Sequence, residues 1–372
     1  MSPWRPPAPV LPKLDPLVEQ VLFWGLRPSD LSDQPASAWR ANAHQLIEQR
    51  LAGLALFATR GGADIPQEVV TELISAHRRQ VLRTLAVNAR GASLVDSLRR
   101  SGVDVAVIKG PGLDRIDPVR AERTYSDLDL LVPPASFRHA LDLLRAQGLH
   151  EAGRVQVREY FNSLCREGMN LDRDDGSSID LHHTLPPWYW GRRLNAERVI
   201  AWSEDETVAE RDLPLAHPVH NLIISALHVV SDRERPGESL RVWRDVAVAA
   251  AVCDPLLVAE EARLCGLDWW VAFILGELPD GLVAHGLADA LSGGGPSGPD
   301  RFRLRHLLPP SIGSRHHIGI VFRLPLPNAG AFLIGEILPS RGAIRQKLGR
   351  SAGYRDWWQY VFRRWWDALR RP

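Results

Sequence analysis

The chain contains little cysteine: only Cys165, Cys253 and Cys265 occur among its 372 residues. They form no C-x-x-C pair and no other spacing typical of metal ligands, so neither a disulfide framework nor a cysteine-based zinc site is predicted. This usage favours a protein of the reducing cytosol over a disulfide-stapled secreted fold.

The sequence also lacks an excess of charge and any segment suited to a membrane. Lys and Arg total 45 against 44 Asp and Glu, and the net charge of +1 gives no general argument for a nucleic-acid partner. No uncharged apolar run approaches the ~18 residues of a membrane span. The N-terminus lacks the charged-then-apolar layout of a secretion signal. We therefore expect a soluble cytoplasmic protein with no membrane span.

Hydrophobic periodicity divides the chain into four regions. A Pro-rich lead-in over residues 1–13 precedes apolar residues at helical spacing, which predict helices across 14–102. The pattern then changes to short β-branched runs bounded by glycine, which predict a small α/β unit over 103–188. Helical spacing returns over 189–372. The predicted fold class is α+β, with a small sheet of mixed strands and helices inserted between N- and C-terminal helical regions.

Two strands and a hairpin are the main elements of the predicted α/β unit. The runs VDVAVI (103–108) and DLDLLV (127–132) have the length and composition of buried strands. The stretch 169–183 has strand-like arms around Asp174-Asp175-Gly176, which is a strong hairpin signal.

The second strand carries two carboxylates, Asp127 and Asp129, in an otherwise apolar run. Residues two apart on a strand point the same way, so these side chains repel each other, and burying them unpaired is costly. A divalent cation resolves the conflict, and Mg²⁺ typically binds one or two carboxylates plus substrate phosphates. Asp180, on the second hairpin arm, is a third candidate. Three acids on neighbouring strands suit two metal ions and in-line phosphoryl transfer.

A glycine-containing turn precedes the carboxylates. In VIKGPGL, Lys109 supplies a positive charge, and Gly110 and Gly112 allow the backbone to approach a phosphate closely. The stretch is not a P-loop, because it contains no G-x-x-x-x-G-K-S/T motif. It is not a dinucleotide fingerprint, because Arg115 occupies the place of the third glycine. A purely structural turn is the alternative.

Two further polar residues have two interpretations each. Arg123 either steadies a triphosphate or pairs with an aspartate. His182, two residues after Asp180 and on the same strand face, either orients the substrate or is a structural hydrogen-bonding histidine.

Together these elements resemble the polymerase-β-like nucleotidyltransferase superfamily, and more closely its uncharacterised nucleotidyltransferase family. The matching residues are Lys109-Gly110, Arg123, Ser126-Asp127-Leu128-Asp129, Asp180-Leu181-His182, and in the helical tail His228, Arg241 and Asp245. The resemblance covers roughly residues 75 to 250. The sequence departs from the superfamily at Pro111, where a serine usually contacts the triphosphate.

The resemblance implies a fold, a cofactor and a donor, but no acceptor. It implies Mg²⁺, with two ions held by Asp127, Asp129 and Asp180, which would be both metal ligands and catalytic residues. It also implies an NTP donor, contacted at residues that match the motif or its turn: Lys109, Gly110, Gly112, Arg123, Ser126 and His182.

We therefore expect a Mg²⁺-dependent nucleotidyltransferase that moves an NMP from an NTP to an acceptor hydroxyl and releases pyrophosphate. The acceptor is a peptide, a small molecule, a protein side chain or an RNA end. Three alternatives remain: a kinase-like phosphoryl transferase, a non-catalytic nucleotide-binding module, and a toxin-type nucleotidyltransferase acting on tRNA or protein.

The C-terminal end is rich in tryptophan and arginine. Trp357, Val361, Trp365 and Leu369 follow the spacing of an apolar helical stripe, beside several arginines. Such a helix either docks on a lipid, a nucleic acid or a peptide, or packs its Trp face onto the protein. We favour packing.

Overall fold

The structure is a computed structural model that describes most of the chain. The described residues are 11–59, 62, 64–120, 123–151, 167–174, 178–232, 239–291, 294–307, 330, 334, 344, 348–349 and 353–370. Most of the Pro-rich lead-in lies outside them, as do Cys165 and the Asp175-Gly176 part of the predicted hairpin turn. Cys253 and Cys265 are buried and unbridged.

The N-terminal region is helical, as the periodicity predicts. Its helices are α1 (Pro16–Leu22), α2 (Ala36–Glu48), α3 (Ala52–Thr59) and α4 (Gln67–Arg100). The last of these has 34 residues. It ends just before Gly102, whose φ of +76° is the left-handed conformation that glycine adopts readily after a helix.

A seven-stranded mixed sheet follows among the described residues, which confirms the predicted α+β fold class. Its strands are β1 (Ala106–Ile108), β2 (Leu128–Leu131), β3 (His150–Glu151), β4 (Gly168–Asp172), β5 (Ser178–His182), β6 (Glu204–Val208) and β7 (Arg211–Leu215). The spatial order is β3-β4-β5-β2-β1-β7-β6. β2 is parallel to β5 and β1 to β7, and the other pairs are antiparallel. The predicted hairpin is the β4-β5 pair.

One part of the secondary-structure prediction is wrong. The pattern predicts only helices after residue 189, but the β6-β7 hairpin at 204–215 joins the sheet through β1. Its outer strand, EDETV, is largely exposed and polar. A polar edge strand lacks the alternating apolar signal of a half-buried strand and protects the sheet from pairing with other chains. The division of the chain into regions remains a prediction.

Helices surround the sheet and complete the C-terminal region. They are α5 (Gly110–Ile116), α6 (Phe137–Ala146), α7 (Trp188–Gly191), α8 (Ala196–Ala201), α9 (Pro218–Asp232), α10 (Ser239–Val252), α11 (Pro255–Leu264), α12 (Asp268–Gly276), α13 (Leu287–Leu291), α14 (Gly298–Leu307) and α15 (Tyr354–Arg370). None of the described helices combines the length and the apolar character that a bilayer crossing requires. In α15, Trp357 is buried, whereas Phe362 and Trp366 are exposed.

The two faces of the sheet pack against different helices, and this places the carboxylates. Leu128 and Leu130 of β2 belong to the apolar cluster that contains the second half of α4. The helix approaches closely at Gly91, where an added Cβ would lie 2.5 Å from a methyl carbon of Leu128. Leu131 belongs to the cluster on the opposite face. Because side chains alternate along a strand, Asp129 also points to that opposite face, towards the C-terminal helices.

Candidate active site

Two of the three predicted carboxylates lie directly opposite each other on neighbouring strands. Asp129 of β2 and Asp180 of β5 are register partners in a parallel pair. Asp127 immediately precedes β2, which begins at Leu128. The sheet therefore holds Asp129 and Asp180 in fixed positions, and Asp127 lies just before the first residue of β2.

His182 lies between these two carboxylates. Its Nε2 is 3.3 Å from Oδ1 of Asp129 and 3.3 Å from Oδ2 of Asp180. One ligand atom from each of the three residues lies within 4.8 Å of the others, a grouping that could hold a metal ion. The compact group thus contains His182, whereas the sequence predicts Asp127 as the third ligand. Nδ1 of His182 is buried and has no hydrogen-bond partner among the described residues.

Lys109 supplies a cation to the same cluster from a strained turn. Its Nζ lies 2.9 Å from Oδ1 of Asp129. Its backbone has φ +56° and ψ −120°, a conformation that side-chain-bearing residues rarely adopt and that costs about 1–3 kcal/mol. The side chain of Asn221 on α9 stabilises this backbone, because its Oδ1 accepts the Lys109 N–H at 2.8 Å. The turn is thus held in a form that directs the lysine at the carboxylates.

The charges shift the acidities of the cluster in opposite directions. Burial, aided by the nearby Asp129 carboxylate, raises the pKa of Asp127. Burial alone would also raise the pKa of Asp129, but Lys109 and His182 hold it well below its usual value. Burial would raise the pKa of Asp180 as well, but His182 lowers it. Burial would lower the pKa of His182, but the two carboxylates raise it to about 10.

Arg123 pairs with an aspartate, which is one of its two predicted roles. Its guanidinium donates to both carboxylate oxygens of Asp245, at 2.9 and 2.8 Å, and to the carbonyl oxygen of Gly110 at 3.1 Å. Both side chains are buried. Arg123 therefore connects α10 to the glycine turn and supports that turn from within the protein.

The remaining predicted nucleotide contacts lie around this turn. Gly110 packs against the ring of Tyr125, and at Gly112 an added Cβ would lie 2.9 Å from the amide nitrogen of Asn221. Close packing thus requires glycine at position 112, whereas at Gly110 the Tyr125 ring lies at ordinary van der Waals distance from an added Cβ. Ser126 accepts a hydrogen bond from Arg50 at 3.1 Å, and its Oγ lies 3.4 Å from Oδ1 of Asp127.

Three residues from the C-terminal helices complete the site. Arg241 donates to the carbonyl oxygen of Thr124 at 2.8 Å, and its charge opposes the upward shift in the pKa of Asp127. His228 is close enough to contribute to the lowered pKa of Asp129. Sequence reasoning missed Asn221 entirely, because it lies 112 positions from Lys109 and belongs to no recognised motif.

We expect Asn221→Ala to impair turnover through the Lys109 turn. The substitution removes the Asn221 hydrogen bonds of two backbone groups, the half-buried N–H of Lys109 and the buried carbonyl of Ala216. Each such loss costs about 1–3 kcal/mol, and the strained turn is free to relax. Chemical denaturation and turnover assays on purified protein measure both effects.

The matched control is Asn42→Ala. Asn42 is also a buried helical asparagine, but among the described residues its side chain donates only to the carbonyl of Ala38, within α2. This variant should lose stability and keep full turnover per folded molecule. Equal specific turnover in both variants would show that Asn221 is purely structural.

Comparison with known proteins agrees with this geometry. The profile of a family described as uncharacterised nucleotidyltransferase matches residues 35–276, more than half of the chain. The chain belongs to this family. The matched range includes the sheet as well as the helices that carry Asn221, Arg241 and Asp245. By family, the protein is a nucleotidyltransferase, and membership implies transfer of an NMP from an NTP substrate.

Other comparisons are more distant. The solution structure of the antibiotic-resistance factor ANT(2'')-Ia is similar over 48% of this chain and 90% of that chain, at 12% identity and a TM-score of 0.31. Similarity at this level carries no argument about activity. A search of curated proteins found no significant match.

Proposed function

We propose that this protein moves an NMP from a Mg²⁺–NTP to an acceptor hydroxyl and releases pyrophosphate. The observation that carries the proposal is the pairing of Asp129 and Asp180 across β2 and β5, with Asp127 beside them. Two fixed carboxylates on one sheet face suit a hard cation that also binds triphosphate oxygens.

The residues fit a divalent cation. Asp129 and Asp180 offer hard oxygen atoms in positions fixed by the sheet, and Asp127 immediately precedes β2. These three residues would hold Mg²⁺, and His182 would be a further ligand or would orient the carboxylates. Two such ions would lower the pKa of the attacking hydroxyl and neutralise charge on the triphosphate.

The transfer step itself is an in-line displacement. The acceptor oxygen forms a bond to the α-phosphorus, the bond from that phosphorus to the bridging oxygen breaks, and pyrophosphate leaves with the electron pair. A carboxylate oxygen of Asp180 takes the hydroxyl proton. Lys109 compensates the charge of Asp129, and the Asn221 contact keeps the lysine directed at the cluster. Positioning and charge compensation supply most of the catalysis.

Transfer of an α-³²P label tests this function. Each labelled NTP is incubated with the full chain, Mg²⁺ and cell extract as the source of acceptor. We expect label transfer and pyrophosphate release from at least one NTP, and loss of both on removal of Mg²⁺ or in Asp127→Ala/Asp129→Ala. The labelled product also shows whether the acceptor is a peptide, small molecule, protein or RNA.

Other products would favour the other interpretations. Release of a nucleoside diphosphate, with transfer of a γ-³²P label, would identify a kinase-like phosphoryl transferase. Mg²⁺-dependent binding with no product in any extract would favour a non-catalytic module. A folded protein that binds no NTP would contradict the proposal outright.

A further inference from the structure

A basic cavity lies beside the candidate active site. It has a volume of about 210 Å³ and is lined by the turn after α2, one face of α4 and the segment Thr124–Ser126. Three arginines line it: Arg50, Arg79 and Arg83. No Asp or Glu is among its lining residues in the part of the chain that the structure describes. We call this space the basic cavity.

The basic cavity is connected to the catalytic carboxylates by a short series of contacts. Arg50 donates to Oγ of Ser126 at 3.1 Å, and that oxygen lies 3.4 Å from Oδ1 of Asp127. Ser126 therefore lines the cavity and also contacts the first carboxylate of the site. A ligand in the cavity would lie next to the groups assigned to the transfer step.

The arginines on α4 are arranged at a cost to stability. Arg79 and Arg83 are four residues apart on one helix face, where like charges repel. Both are exposed. Arg79 donates to the hydroxyl of Ser75, and neither residue forms an ion pair with any described carboxylate. In a chain whose net charge is only +1, this is a local concentration of positive charge. An anion bound between these arginines would relieve the repulsion.

The size and the residue type indicate the ligand. A cavity of this volume is smaller than the 300–1,000 Å³ of typical whole-ligand pockets, so it fits one charged group and not a complete nucleotide. The planar guanidinium group matches the geometry of phosphate oxygens in paired hydrogen bonds. Gln80 and Thr124 add neutral polar groups to the lining.

We propose that the basic cavity binds a phosphate group of a substrate next to the catalytic aspartates. That the ligand is a substrate rests on the proposed function, whereas anion binding does not. Two substrates supply such a group: the donor, through its triphosphate, and an acceptor that itself carries a phosphate. In either case Arg79 and Arg83 are binding residues contributed by the N-terminal helices, outside the sheet.

Calorimetric titration of the full-length protein tests the proposal. The probes are inorganic phosphate and tripolyphosphate, at low ionic strength and without divalent cations. We expect Arg79→Gln/Arg83→Gln to weaken binding of at least one probe tenfold or more, because charge-assisted hydrogen bonds to the anion are lost. Both arginines are exposed, so the variant should fold normally, and its thermal unfolding checks this.

The matched control removes the same charge from outside the basic cavity. Arg78→Gln/Arg138→Gln changes two exposed arginines, one on α4 and one on α6, that do not line the cavity. Its affinity should stay within twofold of the wild type. Equal weakening in both double variants, or no binding of either anion by the folded wild type, would overturn the proposal.

A second titration distinguishes the two sources of the phosphate. The wild type is first saturated with Mg²⁺ and a non-hydrolysable NTP, and phosphate is then added. Blocked binding assigns the basic cavity to the donor triphosphate, and retained binding assigns it to the acceptor. The anion titrations require no turnover. Loss of binding in Arg79→Gln/Arg83→Gln would therefore support anion binding in the basic cavity even if the protein consumed no NTP.

Discussion

Asp129→Asn should lower kcat/KM for nucleotidyl transfer about a thousandfold or more while the fold stays intact. The carboxylate faces Asp180 across the sheet and lies 2.9 Å from the Lys109 ammonium, so it is at the centre of the charged cluster. The amide has the same shape but no charge to hold a cation. Losing a few kcal/mol of charge stabilisation in the transition state, at ~1.4 kcal/mol per factor of ten, produces an effect of this size.

The control for this prediction is Asp212→Asn. Asp212 lies on β7 in the same sheet, is exposed, and accepts a hydrogen bond from Thr207 that an asparagine can preserve. Its transfer rate should equal that of the wild type. If Asp129→Asn retained more than a tenth of the wild-type kcat/KM with an unchanged Mg²⁺ requirement, the cation site would have to lie elsewhere.

The second large effect is on stability: Arg123→Met should lower the free energy of unfolding by about 3–5 kcal/mol. Arg123 and Asp245 form a buried, two-bond ion pair, and removing the arginine leaves the Asp245 charge buried without its partner. The carbonyl of Gly110 loses a donor at the same time. Urea unfolding followed by tryptophan fluorescence measures the change.

The double variant Arg123→Met/Asp245→Leu distinguishes a structural ion pair from a nucleotide contact. With both charges removed, apolar packing should recover most of the lost stability. The alternative role, in which Arg123 steadies the triphosphate, predicts a different pattern. Under that role Arg123→Met would keep its stability, and the affinity for Mg²⁺–NTP would fall instead.

The sheet and its acids could be predicted because their signals are local. Asp127 and Asp129 interrupt an apolar run at strand spacing, and the Asp-Gly turn indicates the hairpin that brings Asp180 beside them. The turn after β1 and the helix α5 follow from glycine and proline alone. All these signals lie within a few residues of the groups that they position.

The rest depends on contacts between distant parts of the chain, which no local pattern encodes. Arg123 has two sequence interpretations of equal weight until Asp245, 122 positions away, is seen to pair with it. Asn221 stabilises the Lys109 turn from another helix. The β6-β7 hairpin is not predicted for a different reason. Its outer strand is exposed and polar, so it lacks the alternation of apolar and polar residues that identifies a strand.

The length of α4 has a mechanical consequence. Its 34 residues form one helix of about 50 Å, since each residue adds about 1.5 Å. The first half carries Arg79 and Arg83, and the second half packs Gly91 against Leu128, the residue between Asp127 and Asp129. One continuous helix therefore contributes to both the basic cavity and the packing of the catalytic strand. We expect a shift of the first half of α4 relative to the sheet to alter the contact between Gly91 and Leu128 as well.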